Sequence, residues 1–192
     1  MISSEFDTFY PKNREEWREW LAQNHLTEQS VWLVFYKKAT KIPTISWSEA
    51  VDEALCFGWI DSVKKSVDKD SSIQYFSKRK AKSTWSKINK EKIEKLTEMG
   101  LMMPAGIKCV EIAKQNGSWT ILDSAEALIL PKDFEQKLNT VPEAKDYFFS
   151  LSKSMKKNIL QWFALAKREE TRQKRIDEVI TLAAQKQSPK QF

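Results

Sequence analysis

The basic segment from Lys78 to Asn89 holds the residue types that suit the binding of an anion. It reads Lys-Arg-Lys-Ala-Lys-Ser-Thr-Trp-Ser-Lys-Ile-Asn. Arg79 and the lysines attract negative charge, a helix that starts after Ser86 presents its first backbone amides, and Trp85 offers an aromatic face. We therefore expect a phosphate contact from Arg79 or from the Ser86 amide if this segment binds a ligand. The alternative is a solvated connector in which Trp85 packs under the following helix.

Acidic side chains close to residue 58 offer a second kind of chemistry, namely Glu49, Asp52, Glu53 and Asp61. General acid–base catalysis needs two such groups in contrasting environments that face one cleft. The spacing favours simpler roles, since Glu49 suits a helix cap and both Asp52 and Glu53 are expected to face outward. The Asp61 carboxylate is expected to accept a hydrogen bond from the backbone or from a nearby lysine. An enzyme that uses Glu53 or Asp61 with Arg79 is retained as a third hypothesis, and no catalytic residue is assigned.

Motifs for metals, phosphate loops and nucleophiles are absent from the sequence. His25 is the single histidine, no Cys-x-x-Cys spacing occurs, and the four glycines form no phosphate-binding run. A dyad of Cys56 with His25 is disfavoured, because the last turn of a helix destabilises a thiolate. We predict no metal and no cofactor. Cys56 and Cys109 are expected to be buried, reduced thiols rather than one disulfide, which suits a reducing cytoplasm.

The stretch from Ser46 to Ser62 is the element that must position these groups. Ser46 and Glu49 have capping-box spacing, and an apolar helical face follows them. That face comprises Val51, Ala54, Leu55 and Gly58. Gly58 suits a left-handed helix stop, and the residue types after it are typical of a strand. The pattern predicts a helix over 47–57, a tight turn and a strand over 59–63.

Other elements follow from the same periodicities. Asn13 caps a first helix, Ser30–Tyr36 is a buried central strand, and Ile73–Ser77 pairs with 59–63 as a hairpin. Further helices are predicted to start at Ser86, Pro104, Pro131, Pro142, Ser152 or Ser154, and about Glu169, with Ile88 and Ile107 among the inward residues. The fold class is α+β: a small antiparallel sheet with packed helices, then an all-helical C-terminal half. We divide the chain into 1–120 and 121–192, with a seam over 118–130 that is either a domain boundary or internal to one domain.

Composition and charge set further limits. Eight tryptophans and 41% hydrophobic residues indicate a packed core. The net charge of +6 is concentrated in two basic blocks, 62–95 and 153–192. Within the second block, acids interspersed over 167–175 favour a salt-bridged helix face.

The N-terminus lacks an export signal and no long apolar run occurs, so we expect a cytoplasmic protein without a transmembrane segment.

A family resemblance emerges from several motifs taken in order. They are Val31-Trp32-Leu33 with Lys37-Lys38, the run Glu49-Ala50-Val51 through Ala54–Asp61, Phe76-Ser77-Lys78-Arg79 with Ser83, Trp85-Ser86 and Asn89, then Gly100-Leu101-Met102, Pro104-Ala105-Gly106, Ala166-Lys167, Glu170-Thr171-Arg172 and Arg175-Ile176. The chain resembles the YdeI/OmpD-associated family over nearly its whole length. The resemblance implies protection against bacteriocins or antimicrobial peptides, and association with a porin. It brings no catalytic residues.

Three hypotheses result. The first is a non-enzymatic binding or stress-resistance protein of this family, with a protein partner or a small anionic ligand. The second is a nucleic-acid or phosphorylated-ligand binder that uses the segment from Lys78, and the third is the enzyme described above. The candidate binding residues are Asp61, Arg79, Lys80, Trp85, Ser86 and Asn89.

Overall fold

The side chain of Asn13 starts the first helix by accepting a hydrogen bond from the Glu16 N–H at 2.9 Å. This cap, predicted from the sequence, is present in the computed structural model, which describes residues 7–189. The described residues form two compact units, one from 7–83 with 88–118 and one from 84–87 with 119–189. Whether these units are independent domains stays a prediction.

The first unit contains a four-stranded sheet. Its strands are β1 (Thr8–Phe9), β2 (Ser30–Tyr36), β3 (Trp59–Ser66) and β4 (Ser71–Lys78), in the spatial order β1-β2-β4-β3. The β2–β4 and β3–β4 pairs are antiparallel, as predicted, whereas β1 pairs with β2 in parallel. The prediction of an antiparallel sheet is therefore wrong at this edge. A two-residue strand is too short to show alternation, so no residue pattern predicts β1.

Helices cover this sheet within the first unit. They are α1 (Arg14–Asn24), α2 (Trp47–Cys56), α3 (Lys87–Glu98, of which Lys87 falls in the second unit) and α4 (Pro104–Gln115). The indole N–H of Trp17 on α1 donates to the Ala50 carbonyl of α2 at 3.0 Å, which satisfies a fully buried polar group. On β2, Leu33 and Val34 point to opposite faces and both are buried, which confirms a central strand.

The capping box of α2 is confirmed, with hydrogen bonds in both directions between Ser46 and Glu49. Two apolar positions differ from the prediction, since Ile88 is 62% exposed and Ile107 is 45% exposed. Ile88 lies about 140° around α3 from buried Ile93, because each residue turns a helix by about 100°. It therefore cannot share the buried face.

The second unit is helical. It contains α5 (Asp123–Glu126), α6 (Lys132–Thr140), α7 (Pro142–Ser150), α8 (Lys153–Ala164) and α9 (Glu169–Ala184). Phe134 contacts the rings of Phe148 and Phe163 at centroid distances of 5.0 and 4.9 Å and lies at the centre of its core. Pro142 opens its helix as predicted, Pro131 immediately precedes its own, and Ser152 rather than Ser154 caps α8.

Across residues 7–189 no helix is both long and apolar enough to cross a membrane. Both cysteines are free thiols, with Cys56 buried and Cys109 half-buried.

Glu53 differs most from its predicted position. It was expected to face outward, but it is 1% exposed and accepts hydrogen bonds from the guanidinium groups of Arg14 and Arg18. Arg18 also donates to the Leu101 carbonyl at 2.9 Å. These bonds connect α1 to α2 and to the loop before α4. Two guanidinium groups compensate the buried carboxylate, so the group is structural.

Replacing Glu53 by alanine is expected to lower the free energy of unfolding by about 3 kcal/mol, because it leaves two partly buried cations without their shared carboxylate. Urea denaturation followed by circular dichroism measures this loss. The matched control is Glu19→Ala, an exposed glutamate on α1 whose loss should change stability by less than about 0.5 kcal/mol. Equal losses of unfolding free energy in the two variants would show that the buried ion pairs of Glu53 stabilise the fold no more than an exposed charge does.

Candidate functional site

A cleft forms in the first unit where the Gly58 turn meets α4. We call it the Arg79 cleft; its walls include Phe57, Trp59, Arg79, Lys108, Cys109 and Ile112. Its volume is about 260 Å³. Lys78, Arg79 and Lys108 give it positive charge, and among the described residues no acidic side chain lines it. The cleft thus combines cationic groups with apolar walls.

Two glycines allow the backbones that form the cleft to touch. Gly58 has φ +75°, and a side chain there would put its Cβ 3.0 Å from the Ala105 oxygen and 3.3 Å from the Cys109 Cβ. At Gly106 a Cβ would lie 2.7 Å from the Cys56 carbonyl carbon. At Gly106 only hydrogen fits, and at Gly58 a Cβ would require its neighbours to shift by a few tenths of an ångström, so α4 can pack directly on the end of α2.

One face of α4 forms a wall of the cleft. Ala105, Lys108, Cys109 and Ile112 line it, and they follow the spacing i, i+3, i+4 and i+7. This face of α4 was not predicted from the sequence, and the buried face of the helix carries Val110 and Ala113 instead. The same helical period, applied from Ala105 onward, would have found the face that lines the cleft.

Arg79 is placed by the chain that leaves β4. Its backbone N–H donates to the Gly58 oxygen at 2.9 Å, so the residue lies beside the turn. Farther along, the Ala81 carbonyl accepts hydrogen bonds from the Asn116 side chain at 2.7 Å and from the Ser118 hydroxyl at 3.4 Å. These contacts hold the segment after β4 against the end of α4 and fix the direction in which it runs.

Burial governs the ionisation of the groups in this region. It lowers the pKa of the Arg79 guanidinium to about 10, while the charges of Cys109 and Asp61 act in the opposite direction. Arg79 therefore remains a cation at neutral pH. Burial raises the pKa of the Cys109 thiol, and the charge of Arg79 partly offsets this increase. Burial and the charge of Glu53 together raise the pKa of Cys56 to about 11.

The residues predicted to form a binding site are only partly brought together. Arg79 lines the cleft, whereas Lys80 is exposed outside it and Asn89 is half-buried on α3. Trp85 and Ser86 belong to the second unit. Trp85 is 1% exposed and its ring lies 4.9 Å from that of Trp119, so its aromatic face is not open to a ligand.

The carboxylates of the enzyme hypothesis lie elsewhere in the first unit. Asp61 accepts hydrogen bonds from the Trp47 indole at 2.9 Å and from the Gln74 amide at 3.2 Å. Glu53 is held by its two arginines. Neither residue lines the Arg79 cleft, so the arrangement that this hypothesis requires is not formed there.

Two residues of the cleft, Trp59 and His25, were not predicted from the sequence to belong to a binding site. Trp59 lines it at 0% exposure, and its indole Nε1 is buried without a hydrogen-bond partner among residues 7–189. His25 is half-buried and also lines the cleft. Its Nδ1 lies 2.8 Å from the Leu21 oxygen, and its ring lies 5.0 Å from that of Phe57.

Comparison with known families divides the chain in two parts. Residues 9–109 match the family described as a domain of unknown function, DUF8412. The chain belongs to this family. Residues 127–186 match the family described as bacteriocin-protection, YdeI or OmpD-associated, which confirms the resemblance over that region. Neither the curated proteins nor the solved structures gave a match.

The DUF8412 region contains most of the motifs on which the resemblance rested. The stretch from Val31 to Gly106 lies within it, and the motifs from Ala166 to Ile176 lie within the YdeI/OmpD-associated region. The YdeI/OmpD-associated match is therefore shorter than the sequence analysis expected. Most of the Arg79 cleft, from His25 to Cys109, falls in the DUF8412 region.

Replacing Gly106 by alanine is expected to lower the free energy of unfolding by about 2–3 kcal/mol, because the added Cβ meets the backbone of α2. Urea denaturation is again the measurement. Gly117→Ala is the control, since its Cβ meets nothing within 4 Å and only its positive φ costs energy, about 1 kcal/mol. A Gly106 variant as stable as the Gly117 variant would contradict the close contact.

Thiol chemistry distinguishes the two cysteines. In the folded protein Cys109 is expected to react with a thiol reagent while buried Cys56 does not. Because burial raises the pKa of Cys109, its rate should keep rising above pH 9, where an ordinary thiol levels off. Stopped-flow absorbance with an aromatic disulfide reagent measures both rates. Cys109→Ser should remove the reaction, and a persistent signal in that variant would show that Cys56 is accessible.

Proposed function

We propose that this chain is a binding protein for a small organic anion, which occupies the Arg79 cleft. The observation that carries the proposal is the half-buried guanidinium of Arg79 beside a cavity whose described lining is cationic or apolar. A charge held in a partly desolvated site interacts with an opposite charge more strongly than one in open water. This distinguishes Arg79 from exposed lysines such as Lys80 and Lys82.

The lining also supplies what an organic ligand needs in addition to charge. Leu26, Phe57 and Ile112 offer apolar surface beside the cationic groups. Small-molecule sites are usually concave and mostly apolar, with a few polar groups that orient the ligand. The Arg79 cleft fits this description, although its volume of about 260 Å³ lies just below the usual range of about 300–1,000 Å³.

Nucleic-acid binding is the second candidate function. The exposed lysines Lys80 and Lys82 favour it, because they can contact phosphates without entering the cleft. Trp85 is buried and does not support stacking on a base. We therefore rank this function below the binding of a small anion.

A role in protection against bacteriocins or antimicrobial peptides forms a further part of the proposal, as does a location in the cytoplasm. The protective role rests on the description of the family matched by residues 127–186. Such a role is compatible with ligand binding, and survival of cells that produce the chain during bacteriocin exposure would test it. Loss of the survival benefit in an Arg79→Met variant would connect it to the cleft.

The binding proposal predicts that Arg79→Met weakens binding of an organic anion at least about tenfold, because it removes the half-buried cation. A thermal-shift screen of small carboxylates, phosphate esters and sulfonates identifies the ligand, and isothermal titration calorimetry measures its Kd. Lys80→Met is the matched control, since it removes an exposed charge outside the cleft.

Equal affinities of the two variants would refute binding at Arg79. A screen in which no anion stabilises the protein would refute the proposed function itself. Fluorescence anisotropy with labelled DNA and RNA tests the second candidate. Binding that survives physiological salt and is lost in Lys80→Glu/Lys82→Glu would place nucleic acid first.

A further inference from the structure

We propose that the ligand of the Arg79 cleft is a small monocarboxylate with an aromatic or branched aliphatic body, rather than a phosphate ester or a nucleotide. This inference rests on the proposed function and names the chemical class of its ligand. Volume, wall chemistry and the supply of hydrogen-bond donors each support it.

The volume limits the ligand to a small molecule. The cavity measures about 260 Å³. Sites for drug-sized ligands span about 300–1,000 Å³, so this cleft encloses roughly a dozen non-hydrogen atoms. A nucleoside monophosphate has about twice that number and could insert only part of itself. A single aromatic ring with a short acidic group matches the space.

The walls favour a ligand that has an apolar body. Phe57 and Leu26 line the cleft from the α2 end and from the loop after α1, and Ile112 lines it from α4. Burial of apolar surface contributes about 25 cal/mol per Å², so a ring that covers these walls gains affinity which acetate or inorganic phosphate cannot. The ligand therefore needs both a charge and a hydrophobic part.

The donor groups suit a single negative charge better than a double one. Phosphate sites commonly use several backbone amides, but here the Gly58 N–H donates to Leu55 O at 3.1 Å and the Arg79 N–H donates to Gly58 O at 2.9 Å. The Lys78 ammonium group donates to the Leu26 carbonyl at 2.8 Å. Desolvating a dianion costs far more than desolvating a carboxylate, and these groups offer few donors to compensate that cost.

Two side chains can receive a carboxylate in this cleft. The planar guanidinium group of Arg79 matches the two oxygens of a carboxylate. The buried indole Nε1 of Trp59 is a donor without a partner among residues 7–189, and a carboxylate oxygen is a suitable acceptor for it. An indole donates one hydrogen bond and bears no charge. Trp59 therefore favours a ligand with an oxygen in the right direction, and this ligand does not need a second negative charge.

The test is calorimetric titration of the full chain with five probes at constant ionic strength and pH 7. They are benzoate, acetate, benzyl alcohol, phenyl phosphate and adenosine monophosphate. We expect benzoate to bind at least about tenfold more tightly than each of the others. Acetate lacks the apolar body, benzyl alcohol lacks the charge, and the last two carry a phosphate.

Cys109 reports whether binding occurs in the cleft. Saturating benzoate should slow the reaction of Cys109 with the thiol reagent several-fold, because the ligand covers the wall that holds the thiol.

Two lysine variants test the role of charge at the cleft. Lys108→Met changes an exposed position and should not disturb the fold, and it is expected to weaken benzoate binding by about two- to tenfold. Lys80→Met should leave the affinity unchanged, and circular dichroism establishes that each variant is folded.

The outcomes separate the two levels of the proposal. Phenyl phosphate or adenosine monophosphate binding as tightly as benzoate, with protection of Cys109, would overturn the carboxylate class and leave anion binding in place. Benzyl alcohol binding as tightly as benzoate would overturn the need for charge and with it the proposed function. Absence of binding by all five probes, without protection of Cys109, would overturn the carboxylate class, while the wider anion screen decides the proposed function.

Discussion

The contact between α4 and the end of α2 is the constraint on which the cleft and the surrounding fold depend. Gly106 lies against the Cys56 carbonyl group, and the Met103 N–H donates to the same carbonyl oxygen at 3.0 Å. Two residues after Cys56, Gly58 turns the backbone in the left-handed region and lies beside Ala105. Any side chain at either glycine would push the helix away. The volume and the wall of the Arg79 cleft therefore follow from two missing Cβ atoms.

The same unit contains a buried charge, Glu53, and a half-buried one, Arg79, with different surroundings. Glu53 is enclosed by α1 and α2, and Arg14 and Arg18 satisfy it, so it stabilises the helix pair. Arg79 instead borders an open cavity that a molecule can enter. Because a buried charge is costly to desolvate, a protein retains one where it supports structure or serves a ligand. The geometry assigns Glu53 to the support of the structure, and the position of Arg79 is consistent with the binding of a ligand.

Local patterns in the sequence were sufficient to predict most elements of the fold. The caps at Asn13 and Ser46, the helix stop at Gly58 and the central strand all depend on residues close in sequence, and the structure contains them. Glu53 was misplaced because its burial depends on arginines far away in the chain. The parallel strand β1 was missed because its pairing is likewise non-local and only two residues long.

The candidate site was predictable only through Arg79. Basic residue type and spacing pointed to the segment that contains Arg79, but they could not show that Arg79 lines a cleft while Lys80 lies outside it. Lys108 and Cys109 have helical spacing with Ala105, yet such a stripe becomes a binding wall only when another element faces it. The facing element is the Gly58 turn, which lies far from α4 in sequence. Sites built from distant segments are visible only after folding.

Net charge alone says little about what the protein binds, because its two basic blocks differ in surroundings. In the second block Arg172 pairs with Asp133 at 2.7 Å and Lys174 pairs with Glu170 at 2.7 Å. The Lys174–Glu170 pair lies within α9, as the sequence predicted, whereas Arg172 pairs with a carboxylate of α6. An exposed pair such as Lys174–Glu170 contributes little to stability. In the first block, the half-buried position of Arg79 gives one cation more influence than several exposed lysines. The burial of individual charges, rather than their total, therefore determines where an anion is expected to bind.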